Sequence, residues 1–275
     1  MKAWPAPAKL NLFLHVVGRR ADGYHLLQTV FRFIDFGDSL YFSLREDTAV
    51  VLENPLPGVP PEHDLTVRAA RLLQAATGIE RGANIRIEKR LPMGGGLGGG
   101  SSDAATTLLA LNHLWQAGLS RRELEVLGLQ LGADVPIFVH GHAAFAEGVG
   151  ELFSDVAVPD VWYLVLVPPV SVPTPAIFGA ADLCRDTPVM RPEDWRPGMG
   201  RNDMEAVAVR LYPEVGAHLD MLKAYGSPRM SGSGACVFVE LADEAAAQAA
   251  QAALPAGVRS FVARGLTQHP LADIL

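Results

Sequence analysis

The chain has 275 residues, of which 49% are hydrophobic, 19% charged and 7% aromatic, with 27 glycines and 20 prolines. That composition excludes a disordered or collagen-like chain, and at ~100–200 residues per domain it allows one large domain or two modest ones. Against 23 basic residues stand 30 acidic ones, and the net charge of −7 argues against nucleic-acid partners, which need a basic field.

Pattern removes further classes. No apolar run approaches the ~20 residues of a membrane helix, so no membrane partner is expected. The start, Met1-Lys2-Ala3-Trp4-Pro5, leads into Lys9 and Asn11 and carries no signal-peptide core. Two cysteines, Cys184 and Cys236, cannot build a disulfide framework or a four-cysteine zinc site, and a reducing cytoplasm is the expected location. Cys236, within Ala235-Cys236-Val237-Phe238-Val239, reads as a buried small hydrophobe. Lysine is scarce: Lys2, Lys9, Lys89 and Lys223 leave 19 of the 23 basic residues as Arg. Lysine offers a compact charge whose pKa burial can shift, so a lysine in an apolar stretch marks a position.

Residues 8–17 and 30–44 carry β-branched and aromatic runs broken by the turn signal Arg19-Arg20-Ala21-Asp22-Gly23, which predicts a β-rich start. A short apolar run at 50–52 precedes the proline-rich loop 55–61. The spacing of Leu65, Ala69, Leu72, Leu73 and Ala76 predicts a helix over 64–77, ended by Gly78. Alternation around Ile85 and Ile87 predicts a strand over 83–91. Two helices are predicted next, over 103–117 and 120–131, the second opened by a capping box of Ser120 and Glu123. Residues 162–167 form an apolar run expected to be a buried strand. Further strands are expected at 236–241 and 258–263, with an alanine-rich helix at 243–253. Composition shifts near 145–160, and a boundary near residue 150 divides the chain into domains 1–150 and 151–275.

The most informative segment is Leu91-Pro92-Met93-Gly94-Gly95-Gly96-Leu97-Gly98-Gly99-Gly100-Ser101-Ser102-Asp103. Glycine fills six of the seven positions 94–100. Glycines let a backbone wrap closely around an anion, and a following helix aims its free N–H groups and positive dipole end at it. The alternative is a flexible surface loop. Gly94-x-Gly96-x-x-Gly99 also satisfies the dinucleotide pattern of a nicotinamide-dependent oxidoreductase, but a second helix follows here, not a parallel strand. No Gly-Lys-Ser/Thr follows, so it is no Walker loop. Ser101 and Ser102 can donate to phosphate oxygens, ligate Mg²⁺ or cap the helix.

Asp134 lies just past a predicted helix, in Leu131-Gly132-Ala133-Asp134-Val135-Pro136, where it either caps a turn or serves chemistry. Lys9 sits in the apolar run Pro7-Ala8-Lys9-Leu10-Asn11-Leu12, as an outward strand lysine or a functional one. A kinase acting on an alcohol needs a carboxylate at the hydroxyl, a cation that keeps it ionised, and positive charge at the phosphoryl group. Lys9 and Asp134 meet that need if the fold joins them. A late loop, Ser231-Gly232-Ser233-Gly234, is either a tight turn or a wall of the nucleotide site.

These stretches, in this order, resemble the GHMP kinase superfamily. The carrying strings are PAKLNLFLHVVGRRADGYHLLQTVF at 7–31, LPMGGGLGGGSSDAA at 91–105, LGADVPIFVHG at 131–141, PTPAIF at 173–178 and RMSGSGACVF at 229–238. DGYH, GADVPIF and PTPAIF as a set resemble the branch that phosphorylates a CDP-linked methylerythritol on its 2-hydroxyl in non-mevalonate isoprenoid biosynthesis. The rival branches are the homoserine and mevalonate kinases. A non-catalytic nucleotide-binding module is a third reading.

The resemblance implies an α/β (α+β) two-domain fold, with a ribosomal-protein-S5-like N-terminal domain, a ferredoxin-like C-terminal domain and the site in the cleft between. It implies ATP and Mg²⁺, with Pro92 through Ser102 lining the nucleotide site; it names no metal ligand, and Ser102 is the candidate. Asp134 is implied as general base and Lys9 as the group that orients it and lowers the effective pKa of the hydroxyl. Tyr24, His25 and Phe178 are implied around the cytosine, and Asn11 and Thr174 at the methylerythritol. Asp103 stands where asparagine is also found in the family.

Overall fold

The computed structural model describes residues 2–274. Two long antiparallel strands, β1 (Trp4–Arg19) and β2 (His25–Arg45), open the chain and flank the expected turn. That turn closes with the Gly23 N–H on the Arg20 carbonyl (3.0 Å) and the Tyr24 N–H on the Asp22 carboxylate (3.1 Å). Both strands outrun the predicted spans. β2 finds partners along its whole length: β1, β4 (Gly82–Glu88), β5 (Ala144–Glu147) and β10 (Ser260–Leu266). Pairing of that kind extends a strand through polar residues that show no alternation.

A parallel β-α-β unit follows, from β3 (Val50–Leu52) through α1 (Leu65–Thr77) to β4. The Asp64 carboxylate accepts the Thr66 N–H at 2.8 Å and caps α1, which Gly78 ends at φ +69°. Then come α2 (Gly99–Leu114), α3 (Arg121–Leu131) with the capping box of Ser120 and Glu123, and the short α4 (Val135–His140). α2 starts before the predicted 103 because the last glycines of the loop enter the helix, with Gly98 as its N-cap. Leu108, Leu111, Ile137 and Phe138 bury these helices against Ile85 and Phe33 of the sheet.

The second half supplies β7 (Trp162–Leu166), α5 (Thr174–Gly179), α6 (Glu205–Leu211), α7 (Pro213–Leu222), β8 (Arg229–Met230), β9 (Val237–Leu241), α8 (Glu244–Ala252) and β10. Its strands lie in the order β10-β7-β9-β8, every neighbour antiparallel, with a helical segment between β7 and β8 and α8 between β9 and β10. That is the split β-α-β pattern of the expected ferredoxin-like layer. α4 and α5, at six residues each, and α6 and α7, abutting at Pro213, are too short for periodicity to reveal.

The two halves share structure. β10 pairs with β2 at Gly265–Ile34 and Leu266–Phe33. Leu10 and Phe13 of β1 pack with Tyr163 of β7 and Phe238 of β9 in one core, each buried side chain contributing ~1.5–3 kcal/mol. Residue 150 falls in the turn between β5 and β6 (Leu152–Asp155), so β6 stays in the N-terminal sheet. The end of the chain also returns there: the His269 N–H donates to the Gly141 carbonyl at 2.8 Å, and Leu271 joins the N-terminal core. Among the described residues no helix is long and apolar enough to cross a membrane.

Candidate active site

β1 carries Lys9 and Asn11 into the interior, where both are buried. A buried ammonium needs partners. Lys9 Nζ donates to Asn11 Oδ1 at 2.5 Å and lies 3.3 Å from Asp134 Oδ2, with the Phe31 ring 5.3 Å away. Asn11 is oriented in turn, its Nδ2 donating to the Thr29 hydroxyl at 2.9 Å while Thr29 donates to the Phe13 carbonyl. Asn11, expected at the substrate, gives its amide oxygen to Lys9 and its amide nitrogen to Thr29, and it also lines the cavity described below.

Asp134 occupies the N-cap position of α4, yet its side chain accepts no capping bond. Val135, Ile137, Phe138 and Val139 anchor that helix in the core and present the carboxylate, 39% exposed, to the cavity. A capping aspartate would turn back on its own helix; this one faces Lys9 across a sequence gap that only the fold closes.

The glycine loop lies between Lys9 and the second half. Its geometry requires glycine at two places. Gly98 has φ +73°, and a Cβ there would stand 2.9 Å from the Phe138 ring and 3.1 Å from Lys9 Cγ. Gly96, also at φ +73°, would bring a Cβ within 2.1 Å of the Ser231 carbonyl. The Lys9 N–H donates to the Leu97 carbonyl at 3.0 Å, tying the loop to β1 while the Leu97 side chain is buried. From the other side, the Ser231 hydroxyl donates to the Gly96 carbonyl at 2.9 Å and the Cys236 N–H to the Gly95 carbonyl at 3.1 Å. The Ser231–Gly234 loop is thus both a tight turn and a wall of the cradle. Cys236 is buried as expected, which pushes its thiol up to about 12.

Two cavities meet at this loop. The larger, about 770 Å³, is bounded by Lys9, Asn11, Asp134, Thr174, Phe178 and Tyr24, with His25 and Arg19 at the same end as Tyr24. The smaller, about 360 Å³, runs along Pro92 through Gly96 and Gly98 through Ser101, with Lys89, Asp103 and the start of α1 opposite. Gly94, Gly96 and Ser101 belong to both. Thr174 opens α5 and its hydroxyl meets the Ser233 hydroxyl at 2.7 Å, closing the rim. Tyr24 is 64% exposed, and Met93 is equally exposed at the mouth of the smaller cavity. The His25 ring stacks on the Phe178 ring at 4.5 Å and 16°.

The candidate metal ligand Ser102 is a correction. Its hydroxyl is fully buried and donates to the Pro7 carbonyl at 2.7 Å, so it fastens α2 to β1 and faces neither cavity. One residue is ~100° of helix, and that rotation leaves Ser101, not Ser102, at the cavity wall.

One group of site residues went unread in the sequence. Lys89 Nζ lies 2.5 Å from Asp38 and 2.8 Å from Asp103 at the wall of the smaller cavity. Asp38 also accepts the N–H groups of Arg90 and Leu91, which fixes the entry to the glycine loop. Asp103 Oδ1 has no partner, and burial, opposed by Lys89, pushes that carboxyl up to about 7. Burial works against the Lys89 ammonium, but its two carboxylates outweigh it and hold its pKa up. The scarcity of lysine was the available signal: Lys9 and Lys89 are the two lysines drawn into the site.

The chain matches the GHMP kinases N terminal domain over residues 64–142 and the GHMP kinases C terminal domain over residues 181–259. It is 62% identical over 272 residues to 4-diphosphocytidyl-2-C-methyl-D-erythritol kinase of Dechloromonas aromatica (strain RCB), spanning 98% of this chain and 99% of the relative. The chain belongs to the GHMP kinase family. Its GHMP kinase fold aligns with a crystal structure of 4-(cytidine 5'-diphospho)-2C-methyl-D-erythritol kinase at a TM-score of 0.80 and 37% identity, over 96% of this chain and 99% of that one. A homoserine kinase from Cytophaga hutchinsonii aligns at 0.72 and 16% identity, over 96% and 93% of the two chains, and shares the fold alone. As a GHMP kinase, the chain is an ATP-dependent kinase. The oxidoreductase reading of the glycines falls: three successive helices, α2, α3 and α4, follow the loop, and the next strand, β5, pairs with β2 and β6 and not with β4.

Proposed function

We propose that this kinase transfers the γ-phosphoryl group of ATP to the 2-hydroxyl of 4-diphosphocytidyl-2-C-methyl-D-erythritol, in isoprenoid precursor biosynthesis. One observation carries the reading: an uncapped Asp134 carboxylate 3.3 Å from a buried Lys9 ammonium, beside the glycine cradle. The 62% identity to a curated relative of that name supports the choice of alcohol.

In this reading Pro92 through Ser101 hold the nucleotide, its phosphates lying against the glycine backbone and the free N–H groups that open α2. Asp134 receives the proton of the 2-hydroxyl as that oxygen bonds to the γ-phosphorus; the bond from phosphorus to the bridging oxygen breaks and ADP leaves. Lys9 holds Asp134 in place and lowers the effective pKa of the hydroxyl. Mg²⁺ would add charge neutralisation at the phosphates. The Ser101 hydroxyl, at the wall of both cavities, would be the side chain offered to that ion. Tyr24, His25 and Phe178 receive the cytosine, and Thr174 the methylerythritol rim, while Asn11 acts through Lys9.

The working division is an N-terminal wall carrying the cradle, Lys9 and Asp134, and a C-terminal wall carrying Thr174, Phe178 and the Ser231–Gly234 loop, with the crossing after β6. Two free cysteines fit a reducing cytoplasm, where ATP is also found. An ADP-release assay over a panel of alcohols tests the substrate: turnover confined to the CDP-linked methylerythritol is expected, and turnover of homoserine or mevalonate in its place overturns the reading.

A further inference from the structure

The base end of the larger cavity is braced by a residue outside every motif. Arg185 lies in the irregular segment after α5 and is half-buried. Its Nε–H donates to His25 Nε2 at 3.1 Å. Its Nη2 donates to the carbonyls of Phe178 (2.8 Å) and Ala180 (2.7 Å), and Nη1 to that of Leu183 (3.0 Å). None of these bonds goes to a carboxylate, so the guanidinium is not engaged as a surface ion pair. They join the first residue of β2 to the end of α5, although Arg185 and His25 are 160 positions apart.

The three side chains act as one unit. Because Arg185 donates to Nε2, that nitrogen accepts and the ring proton sits on Nδ1. The ring is kept neutral by its burial, then by the charges of Arg185 and Arg19, which hold its pKa below the usual range. The imidazole so fixed lies flat on the Phe178 ring, and the carbonyl contacts fix the helix end that carries Phe178. Only a planar fork with several donors reaches the imidazole and three carbonyls together; a lysine ammonium cannot.

We infer that Arg185 is a positioning residue for nucleobase recognition: it bridges His25 to the end of α5 and so sets the aromatic wall against which the cytosine end of the substrate binds. The inference rests on the substrate reading given above. Arg185 itself does not line the cavity and touches none of the reacting groups.

Steady-state kinetics on Arg185→Ala, Arg185→Gln and Arg185→Lys, with ATP and the CDP-linked methylerythritol, test it. The KM for the CDP-linked alcohol is expected to rise about 10-fold or more in each, the size of one lost charge-assisted hydrogen bond, with kcat and the KM for ATP unchanged. Methylguanidine added to the Ala variant is expected to lower the raised KM and to leave wild type unaffected. A merely structural role would instead lower kcat, raise both KM values together and resist rescue, and that result overturns the inference. If the Ala variant does not fold, the Lys variant decides, since it keeps charge and bulk and loses only the fork. Wild-type turnover of the CDP-linked alcohol with unchanged KM in the folded variants overturns this inference alone. Wild type without that turnover overturns the substrate reading and the inference with it.

Discussion

The Ser231 hydroxyl donates to the Gly96 carbonyl at 2.9 Å, and through this bond the C-terminal half holds the glycine cradle in shape. The same hydroxyl accepts the Asn11 N–H at 3.2 Å, so one buried side chain links three segments of the site. Ser231→Ala leaves a half-buried carbonyl and a buried N–H without partners, and the buried N–H alone costs about 1–3 kcal/mol before relaxation. Urea unfolding is expected to show a loss of that order, and the KM for ATP is expected to rise. Wild-type stability and wild-type ATP affinity in this variant would show that the loops keep their places without the bond.

Asp103 makes stability depend on pH. Its carboxyl is pushed from 3.8 to about 7 by burial, so it binds its proton more tightly in the folded than in the unfolded chain. Its contribution is full below the unfolded value and is lost as pH rises through about 7. Asp103→Asn removes that loss, and Asp38 remains to pair with Lys89. The melting temperature of the variant, measured against wild type, is expected to move upward between about pH 5 and about pH 8. A difference that stays constant with pH would contradict the assignment.

His269 gives the opposite slope. Burial, then the Arg121 charge, lowers its pKa from 6.5 to about 3, so the folded chain refuses a proton that the unfolded chain takes. Stability is full above about 6.5 and falls as pH drops toward about 3. The ring packs edge-on against Phe33 and Phe138, and its Nδ1 accepts the Leu271 N–H at 3.0 Å. His269→Asn keeps an acceptor for Leu271 and loses the titration. It is expected to be less stable at neutral pH, from lost packing, with a shallower acid slope in denaturant titrations. Equal slopes would place the acid sensitivity elsewhere.

What the sequence made legible follows from how local each signal is. The glycines at 94–100 and the capping box of Ser120 and Glu123 are contiguous, and both stand where expected. Lys9 and Asp134 were each legible as residues of the wrong type for their surroundings. Their meeting was not, because it depends on β1 and α4 packing onto a common core. Asp38, Lys89 and Asp103 come from three separate stretches and carry no spacing pattern. Arg185 is one arginine among 19 in a segment without periodicity. Ser102 was misread because two adjacent serines look alike until the helix phase set by Gly98 separates them.

The most direct measurement is ADP release by Asp134→Asn, with ATP affinity followed by calorimetry on the same sample. Asparagine keeps the shape and a dipole toward Lys9 but takes up no proton. Phosphoryl transfer is expected to fall about 100- to 10,000-fold, with ATP binding at the wild-type level. Transfer at the wild-type rate by this variant would contradict the pairing of Lys9 and Asp134 as the centre of the reaction.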